Sequence, residues 1–327
     1  MNNDEVLDEE SIIKILWGQF GDKQKADPFE DDAAWMPNLK TKRLVVTKAD
    51  MLVAVTDAPP QMTPTQLARK SVVSCVSDFS AKGVQPKYCT ISLGLPKECA
   101  SREYIVSLAE GFSLAETEYG LRIVGGDTNV TKGDLVVDCS IIGFTDKIVP
   151  RNGAKKGDLV GVSGSFGYPP AGLILLSGRG KSREKSFEKI AIDSVLVPKA
   201  RLSLGLKAAQ YLSSCIDSSD GLAISLYHLV ESSKVDFELD ELPTTREVIE
   251  FANENKLSSE DLTLFGGEEY ELVCTYPKKY GTILSKLGIN TIGRVVPKKN
   301  DKPEVFLKSE IVPRKGWIHF RSEESLI

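Results

Sequence analysis

Apolar and polar positions follow two periods along the first half of the chain. Alternation and β-branched residues predict strands at 43–47, 51–55, 88–93 and 135–142, with Lys48-Ala49-Asp50 as a loop between the first two. Apolar residues at spacings of three and four predict amphipathic helices over 63–83 and 101–119. Thr63 and Pro64 suit the start of the first helix, and Gly83 suits its end.

The second half continues the interleaving of strands and helices. Strands are predicted at 159–163, 235–239 and 270–274, and helices at 198–213, 222–230 and 245–254. Residues 150–158 are dense in turn formers and cations between apolar segments, so we expect a domain boundary there, with domains at 1–149 and 150–327.

Composition narrows the class of function. The chain has 327 residues and a net charge of −5, which gives no support for a nucleic-acid or anionic-membrane partner. No run of 18 apolar residues occurs and the first ten residues are acidic, so we expect a cytoplasmic protein. Six cysteines without a C-x-x-C pair predict reduced, buried thiols, and the two histidines argue against a zinc site or a histidine-based triad.

Residues 123–129 read Ile-Val-Gly-Gly-Asp-Thr-Asn, a short apolar strand that runs into two glycines and an aspartate. Paired glycines after a strand allow positive φ and a close approach of backbone N–H groups to a phosphate. Asp127 would repel a bare phosphate, so its position favours a hard cation such as Mg²⁺ between the two anions. We therefore predict a phosphate-binding turn here.

Similar carboxylate-bearing segments recur along the chain. They are Asp31-Asp32, Asp50, Asp78, Asp217 to Gly221, and Gly266 to Glu269. Asp78 lies on a helix face whose other members, Ser71, Ser74 and Cys75, are small, which leaves room for a close approach. We interpret these segments together as one dispersed, acidic, multi-metal phosphate site.

Several of these residues have a second interpretation. Asp31-Asp32 also fits a solvated acidic loop, and Arg151 fits either linker surface or a phosphate contact between domains. Ser219 and Asp220 are also typical N-caps for the helix that follows them. The aromatic tail at 316–320 fits either core or a lid on a heteroaromatic ligand.

Seven segments together resemble the ordered motif series of the thiamine-monophosphate kinase family, within the aminoimidazole-ribonucleotide-synthetase-like ATP-binding superfamily. They are Asp31–Ala34, Asp50–Val53, Ser77–Gly83, Gly125–Asn129, Arg151–Asp158, Asp217–Leu222 and Gly266–Leu272. The resemblance extends from residue 31 to residue 320. Seven motifs in the right order are far more specific than any one of them.

The resemblance implies a two-domain α/β (α+β) protein. Its N-terminal domain would form a β-barrel flanked by helices with a second copy in a homodimer, and its C-terminal α/β domain would pack beside it. ATP would lie in the cleft between the domains. The implied reaction is ATP plus thiamine monophosphate giving ADP plus thiamine diphosphate, by in-line transfer assisted by several Mg²⁺ ions and without a catalytic side chain.

The resemblance also implies roles for individual residues. The implied metal ligands are Asp32, Asp50, Asp78, Asp127, Asp217 and Asp220. The implied nucleotide contacts are Gly126, Asp127, Arg151 and Ser219. The implied substrate contacts are Asp57, Glu268 and Trp317.

The chain differs from the family pattern at three places, and two alternative functions stay open. Lys48-Ala49 replaces a Ser-Thr pair, Asp57 replaces a histidine, and Glu30 replaces a glycine. One alternative is another ATP-dependent enzyme of the superfamily, although the functional cysteine of the selenophosphate-synthetase and hydrogenase-maturation members has no counterpart here. The other is a nucleotide-binding protein with a regulatory role, for which Lys48-Ala49 is the best evidence.

Overall fold

The computed structural model describes residues 34–37, 41 and 43–317 of the chain, and its strands form two sheets. The first sheet contains β1 (Ala34–Pro37), β2 (Leu44–Val53), β3 (Pro86–Pro96), β4 (Arg122–Thr131) and β5 (Val136–Thr145). Its order is β1-β2-β5-β3-β4, and β3 and β4 pair parallel while the other neighbours pair antiparallel.

The second sheet is built from later strands in the order β12-β11-β8-β10-β6-β9-β7. They are β6 (Asp158–Val162), β7 (Ser214–Ser218), β8 (Asp236–Leu239), β9 (Glu271–Pro277), β10 (Asn290–Val296), β11 (Val305–Leu307) and β12 (Glu310–Ile311). Within it β8 and β11 pair parallel, and the other neighbours pair antiparallel.

Helices pack against both sheets and complete a mixed α/β architecture. They are α1 (Ala54–Asp57), α2 (Pro64–Lys82), α3 (Arg102–Tyr119), α4 (Tyr168–Leu176), α5 (Lys185–Leu196), α6 (Leu202–Ala208), α7 (Leu222–Ser233), α8 (Arg246–Glu254), α9 (Ser259–Phe265) and α10 (Gly281–Leu287).

Helix α2 joins the two halves of the molecule, and its predicted ends are confirmed. Thr63 and Gln66 form a reciprocal capping box at its start, and Gly83 ends it in the left-handed conformation at φ 66°. Most of its residues are buried because it contacts the core of the first sheet and also reaches the second. Near its end Lys82 Nζ donates to the carbonyl oxygen of Cys215 in β7 at 2.8 Å.

The loop predicted at residues 48–50 is wrong. Strand β2 runs without interruption because each of its residues pairs with β5, from Leu44 opposite Thr145 to Val53 opposite Val136. Lys48 and Asp50 therefore lie in mid-strand. The segment is extended because its backbone pairs with a strand about ninety residues away. The residues near Lys48 in sequence therefore do not predict this conformation.

The glycine turn predicted at residues 125–127 is also wrong. Both glycines lie inside β4 without positive φ, and Gly126 pairs with Ile91 in β3. The irregularity in the ladder falls one residue earlier, at Val124, because Ile123 pairs with Cys89 and Gly125 pairs with Thr90. The parallel pairing with β3 keeps this segment extended.

The first sheet is open in the part of the chain that the structure describes, with β1 and β4 at its two edges. A closed barrel is therefore not present in this single copy, and the dimeric barrel stays a prediction.

The structure also bears on the cysteines and on membrane spans. All six cysteines are free thiols and all except Cys99 are buried, as predicted. Among the described helices, none is both long and apolar enough to span a membrane.

Candidate functional site

The site begins on the inward face of β2. Because side chains alternate along a strand, Lys48 and Asp50 face the same side as Val46 and Leu52, which are buried in the first core. A charged side chain at such a position needs an opposite charge or a hydrogen-bond partner. Helix α2 packs across this face and supplies one.

An ion pair joins β2 to α2. Lys48 Nζ lies 3.0 Å from Asp78 Oδ2, and the side chains of the two residues are 26% and 8% exposed. One turn earlier on the helix, Cys75 Sγ donates to the carbonyl oxygen of Lys48 at 3.4 Å. Burial acts to lower the pKa of Lys48, but the charges of Asp78 and Asp50 outweigh it, so the pKa lies above its ordinary value.

A third carboxylate comes from Asp217 in β7, where it is buried. Burial raises the pKa of Asp78 well above its ordinary value, Lys48 opposes this shift, and the charges of Asp217 and Asp50 add to it. The pKa of Asp50 is raised by burial and then by Asp217 and Asp57, again against Lys48. Tyr270 connects the helix to this strand, because its hydroxyl lies 3.2 Å from Ser74 Oγ on α2 and its N–H donates to the carbonyl oxygen of Ser218 in β7. With the Lys48–Asp78 ion pair, these contacts bring β2, α2 and β7 together here.

The chemistry of this donor set suits a hard divalent cation, because carboxylate and hydroxyl oxygens are its preferred ligands. The hydroxyls of Ser77 and Ser218 are buried without a hydrogen-bond partner, but they neighbour the site aspartates only in sequence, and alternation along β7 turns Ser218 to the face opposite Asp217. In the described ranges, however, no three acidic, histidine or cysteine side chains are arranged to hold a metal ion. The Lys48 ammonium already contacts one of the carboxylates.

A strained turn at residues 266–270 forms the next wall of the site. Glu268 and Tyr270 have left-handed backbones, at φ 64° and 52°. The N–H of Glu268 donates to the carbonyl oxygen of Ser219 at 2.6 Å, and that of Tyr270 donates to the carbonyl oxygen of Ser218 at 2.8 Å. Left-handed non-glycine residues are costly and persist where the surroundings hold them, often at functional sites.

Lys70 is a site residue that the sequence analysis missed. Its side chain is 1% exposed, and its ammonium donates to the carbonyl oxygen of Asp57 at 2.6 Å and to Glu268 Oε1. It therefore links two of the three residues assigned to the substrate. The available signal was a lysine inside a helix whose neighbouring positions are almost all apolar or small, since lysine is rarely buried without a partner.

The segment before α7 does not use the predicted caps. Gly221 occupies the N-cap position at φ 110°, and α7 has no side-chain cap hydrogen bond, so neither Ser219 nor Asp220 acts as its cap. The backbone carbonyl of Asp220 accepts from the N–H of Trp317 at 3.0 Å. Trp317 is exposed, so it lies on the surface beside this turn rather than in the core.

The remaining predicted residues lie elsewhere. Gly126 and Asp127 are on the exposed part of β4, where Asp127 Oδ1 accepts from the next N–H at 2.8 Å. The backbone of Arg151 lies near the C-terminal end of α7, because its carbonyl oxygen accepts from Ser233 Oγ. Asp217 and Asp220 precede the first turn of α7, so they lie near the opposite end of this helix. Asp32 is outside the residues that the structure describes.

Comparison with known proteins gives this arrangement a context. Residues 30–145 match the family model described as AIR synthase related protein, N-terminal domain. The chain is 40% identical to the thiamine-monophosphate kinase of Nitrosopumilus maritimus, over 96% of this chain and 99% of that relative. It is 34% identical to the thiamine-monophosphate kinase of Pyrococcus horikoshii, over 96% of each chain.

A solved structure shows the same fold. AaThiL complexed with AMPPCP and TMP superposes with a TM-score of 0.85 at 29% identity, over 96% of this chain and 97% of that one. The fold shared with that structure and the identities of 40% and 34% over nearly the full chain indicate the same family. The chain therefore belongs to the thiamine-monophosphate kinase family and is a thiamine-phosphate kinase.

Proposed function

We propose that this chain transfers the γ-phosphoryl group of ATP directly to thiamine monophosphate, giving ADP and thiamine diphosphate. The observation that carries the proposal is that β2, α2 and β7, which bear Asp50, Asp78 and Asp217, meet beside the strained turn that holds Glu268. The related AaThiL structure, which contains AMPPCP and TMP, supports an ATP site and a thiamine monophosphate site in the same fold.

The proposed step needs no nucleophilic side chain. An oxygen of the acceptor phosphate forms a bond to the γ-phosphorus as the bond from that phosphorus to the β,γ-bridging oxygen breaks. ADP leaves with the electron pair, and in-line alignment of the two oxygens is what the protein must provide. The acceptor phosphate monoester has a second pKa of about 6, so it is ionised near neutral pH and needs no general base.

Mg²⁺ belongs to the same proposal. When bound, it supplies positive charge to the phosphate oxygens as charge develops during transfer. On the basis of the family resemblance, Asp50, Asp78 and Asp217 are proposed as its ligands, although the described residues do not show three such side chains arranged around one ion. We propose Asp32, Asp127 and Asp220 as further ligands on the basis of the family resemblance.

Roles for the other predicted residues follow the same resemblance. Gly126, Asp127, Arg151 and Ser219 are proposed to contact the nucleotide. Asp57, Glu268 and Trp317 are proposed to contact thiamine monophosphate. The Lys70 link between Asp57 and Glu268 supports a shared role for those two, and the exposed indole of Trp317 beside Asp220 suits stacking on a heteroaromatic ring.

We also propose a division into domains at residues 1–149 and 150–327, a homodimer and a cytoplasmic location. The last strand of the first sheet ends at Thr145 and the first strand of the second begins at Asp158, which supports the boundary.

A coupled ADP-release assay, with thiamine diphosphate measured directly, tests the proposed reaction. We expect Mg²⁺-dependent turnover with thiamine monophosphate and none with free thiamine, because an alcohol acceptor would require a base that the site lacks. Asp217→Asn should lower kcat by about 100-fold or more. The same change at Asp193, an exposed position on α5, should leave kcat unchanged.

Comparable turnover of free thiamine would contradict the choice of acceptor. AMPPCP binding without ADP release would instead identify a nucleotide-binding protein that does not catalyse transfer, and would overturn the proposed reaction.

A further inference from the structure

Lys48 occupies a position where a strand normally places an apolar side chain. The neighbouring inward positions of β2 are Val46 and Leu52, and both are buried. Removing an ammonium from water costs several kcal/mol unless charge and hydrogen bonds compensate it. Asp78 provides that compensation at 3.0 Å.

The backbone also holds Lys48 in place. The carbonyl oxygen of Lys48 accepts from Cys75 Sγ on α2, and the residue lies within the continuous pairing of β2 with β5, opposite Ile141. The origin of the side chain is therefore fixed by a helix and a strand together. The ammonium at the end of the side chain is then held by its ion pair with Asp78.

More than one carboxyl group shares the Lys48 ammonium. Lys48 Nζ contacts Asp78, and Asp50 lies two residues along the same face of β2. An ammonium contributes one positive charge and three donors but cannot ligate a metal. Where it contacts a carboxylate oxygen, it competes with a divalent ion for that oxygen and repels that ion.

We propose that Lys48 acts as a built-in cation that takes the place of one divalent ion at this cluster. The chain then binds fewer divalent ions than its carboxylates alone would hold, and those it binds are repelled by the ammonium. The proposal rests on the assignment of these carboxylates to the Mg²⁺ site of the proposed reaction. Lys48 is a positioning residue, since it acts on Asp78.

The test counts divalent ions without nucleotide, so it does not depend on turnover. Free Mn²⁺ is measured by its EPR signal during titration of the full chain and of Lys48→Ser. We expect Lys48→Ser to bind one additional Mn²⁺, or to bind Mn²⁺ about tenfold more tightly, because a nearby positive charge has gone and an oxygen ligand has been added. Equal number and affinity in the two proteins would overturn the proposal.

Two further variants sharpen this result. Lys286→Ser makes the same charge change at an exposed position of α10 and should leave Mn²⁺ binding as in the unmodified chain. Lys48→Met removes the charge without adding a ligand, and should tighten Mn²⁺ binding through lost repulsion alone. Unchanged affinity in Lys48→Met would show that the ammonium does not act on the ion.

Thermal unfolding gives an independent measurement if Lys48→Ser is unstable. We expect Mn²⁺ to raise the Tm of Lys48→Ser more than that of the unmodified chain, because ligand binding to the folded state adds stability. An equal rise contradicts the proposal. A kinase assay without turnover, combined with the expected Mn²⁺ counts, would contradict the reaction while the role of Lys48 stands.

Discussion

His228 lies in α7 among groups that disfavour its protonated form. Burial lowers its pKa to about 3, and the positive charges of Arg151 and Arg314 add to the effect. Below the ordinary histidine pKa of about 6.5, the unfolded chain therefore binds a proton that the folded chain does not. The free energy of unfolding must fall as pH decreases from about 6.5 toward 3.

The replacement His228→Gln removes this proton linkage. Between pH 7 and pH 5, we expect the unmodified chain to lose about 2 kcal/mol more unfolding free energy than the variant, because one histidine proton favours the unfolded state. Urea unfolding of both proteins at the two pH values measures the difference. Equal losses would show that His228 is protonated in the folded chain.

At the scale of elements, β4 shows how a neighbouring strand overrides local sequence. A Cβ added to Gly126 would lie 1.8 Å from the carbonyl oxygen of Ile91, whereas one added to Gly125 would have no atom within 4 Å. Two adjacent glycines in one strand therefore meet different constraints. Gly126 is required by close approach to β3, and not by positive φ.

This contrast gives a matched pair of substitutions. We expect Gly126→Ala to lower the free energy of unfolding by about 1–3 kcal/mol, because β3 and β4 must separate to admit the methyl group. Gly125→Ala should change it by less than about 0.5 kcal/mol. Denaturant unfolding measures both values, and similar values for the two variants would contradict the close approach.

At the scale of the whole molecule, the outer face of the first sheet carries exposed apolar side chains among polar ones. Ile142 in β5 pairs with Tyr88 in β3, and both are exposed. Met51, on the outward side of β2, is 60% exposed. These exposed side chains would be buried if two copies paired through this face, which supports the proposed homodimer.

Sedimentation tests this interface. We expect the unmodified chain to be a dimer at micromolar concentration and Met51→Glu/Ile142→Glu to be a monomer, because charges would be buried on association. Ile190→Glu makes an equivalent change on α5, away from this face, and should leave the dimer intact. A monomeric unmodified chain would contradict the homodimer.

The sequence by itself determined the features that depend on residues a few positions apart. The ends of α2 and α3 were predicted nearly correctly because they depend on nearby residues. Thr63 and Gln66 form a capping box at the start of α2, and left-handed Gly83 and Gly120 end the two helices. The ordered motif series was likewise sufficient for the family, because it needs only residue identity and order.

Only the tertiary structure decided which residues meet. Pairing with β5 places Lys48 and Asp50 in mid-strand, and packing of α2 brings Asp78 to Lys48 and Lys70 to Glu268. These partners are between 30 and 198 residues apart, so patterns among neighbouring residues do not predict their contact. The sequence shows each charged residue separately. Their protonation and their binding properties depend on how deeply they are buried next to one another, and the spacing along the chain does not report this.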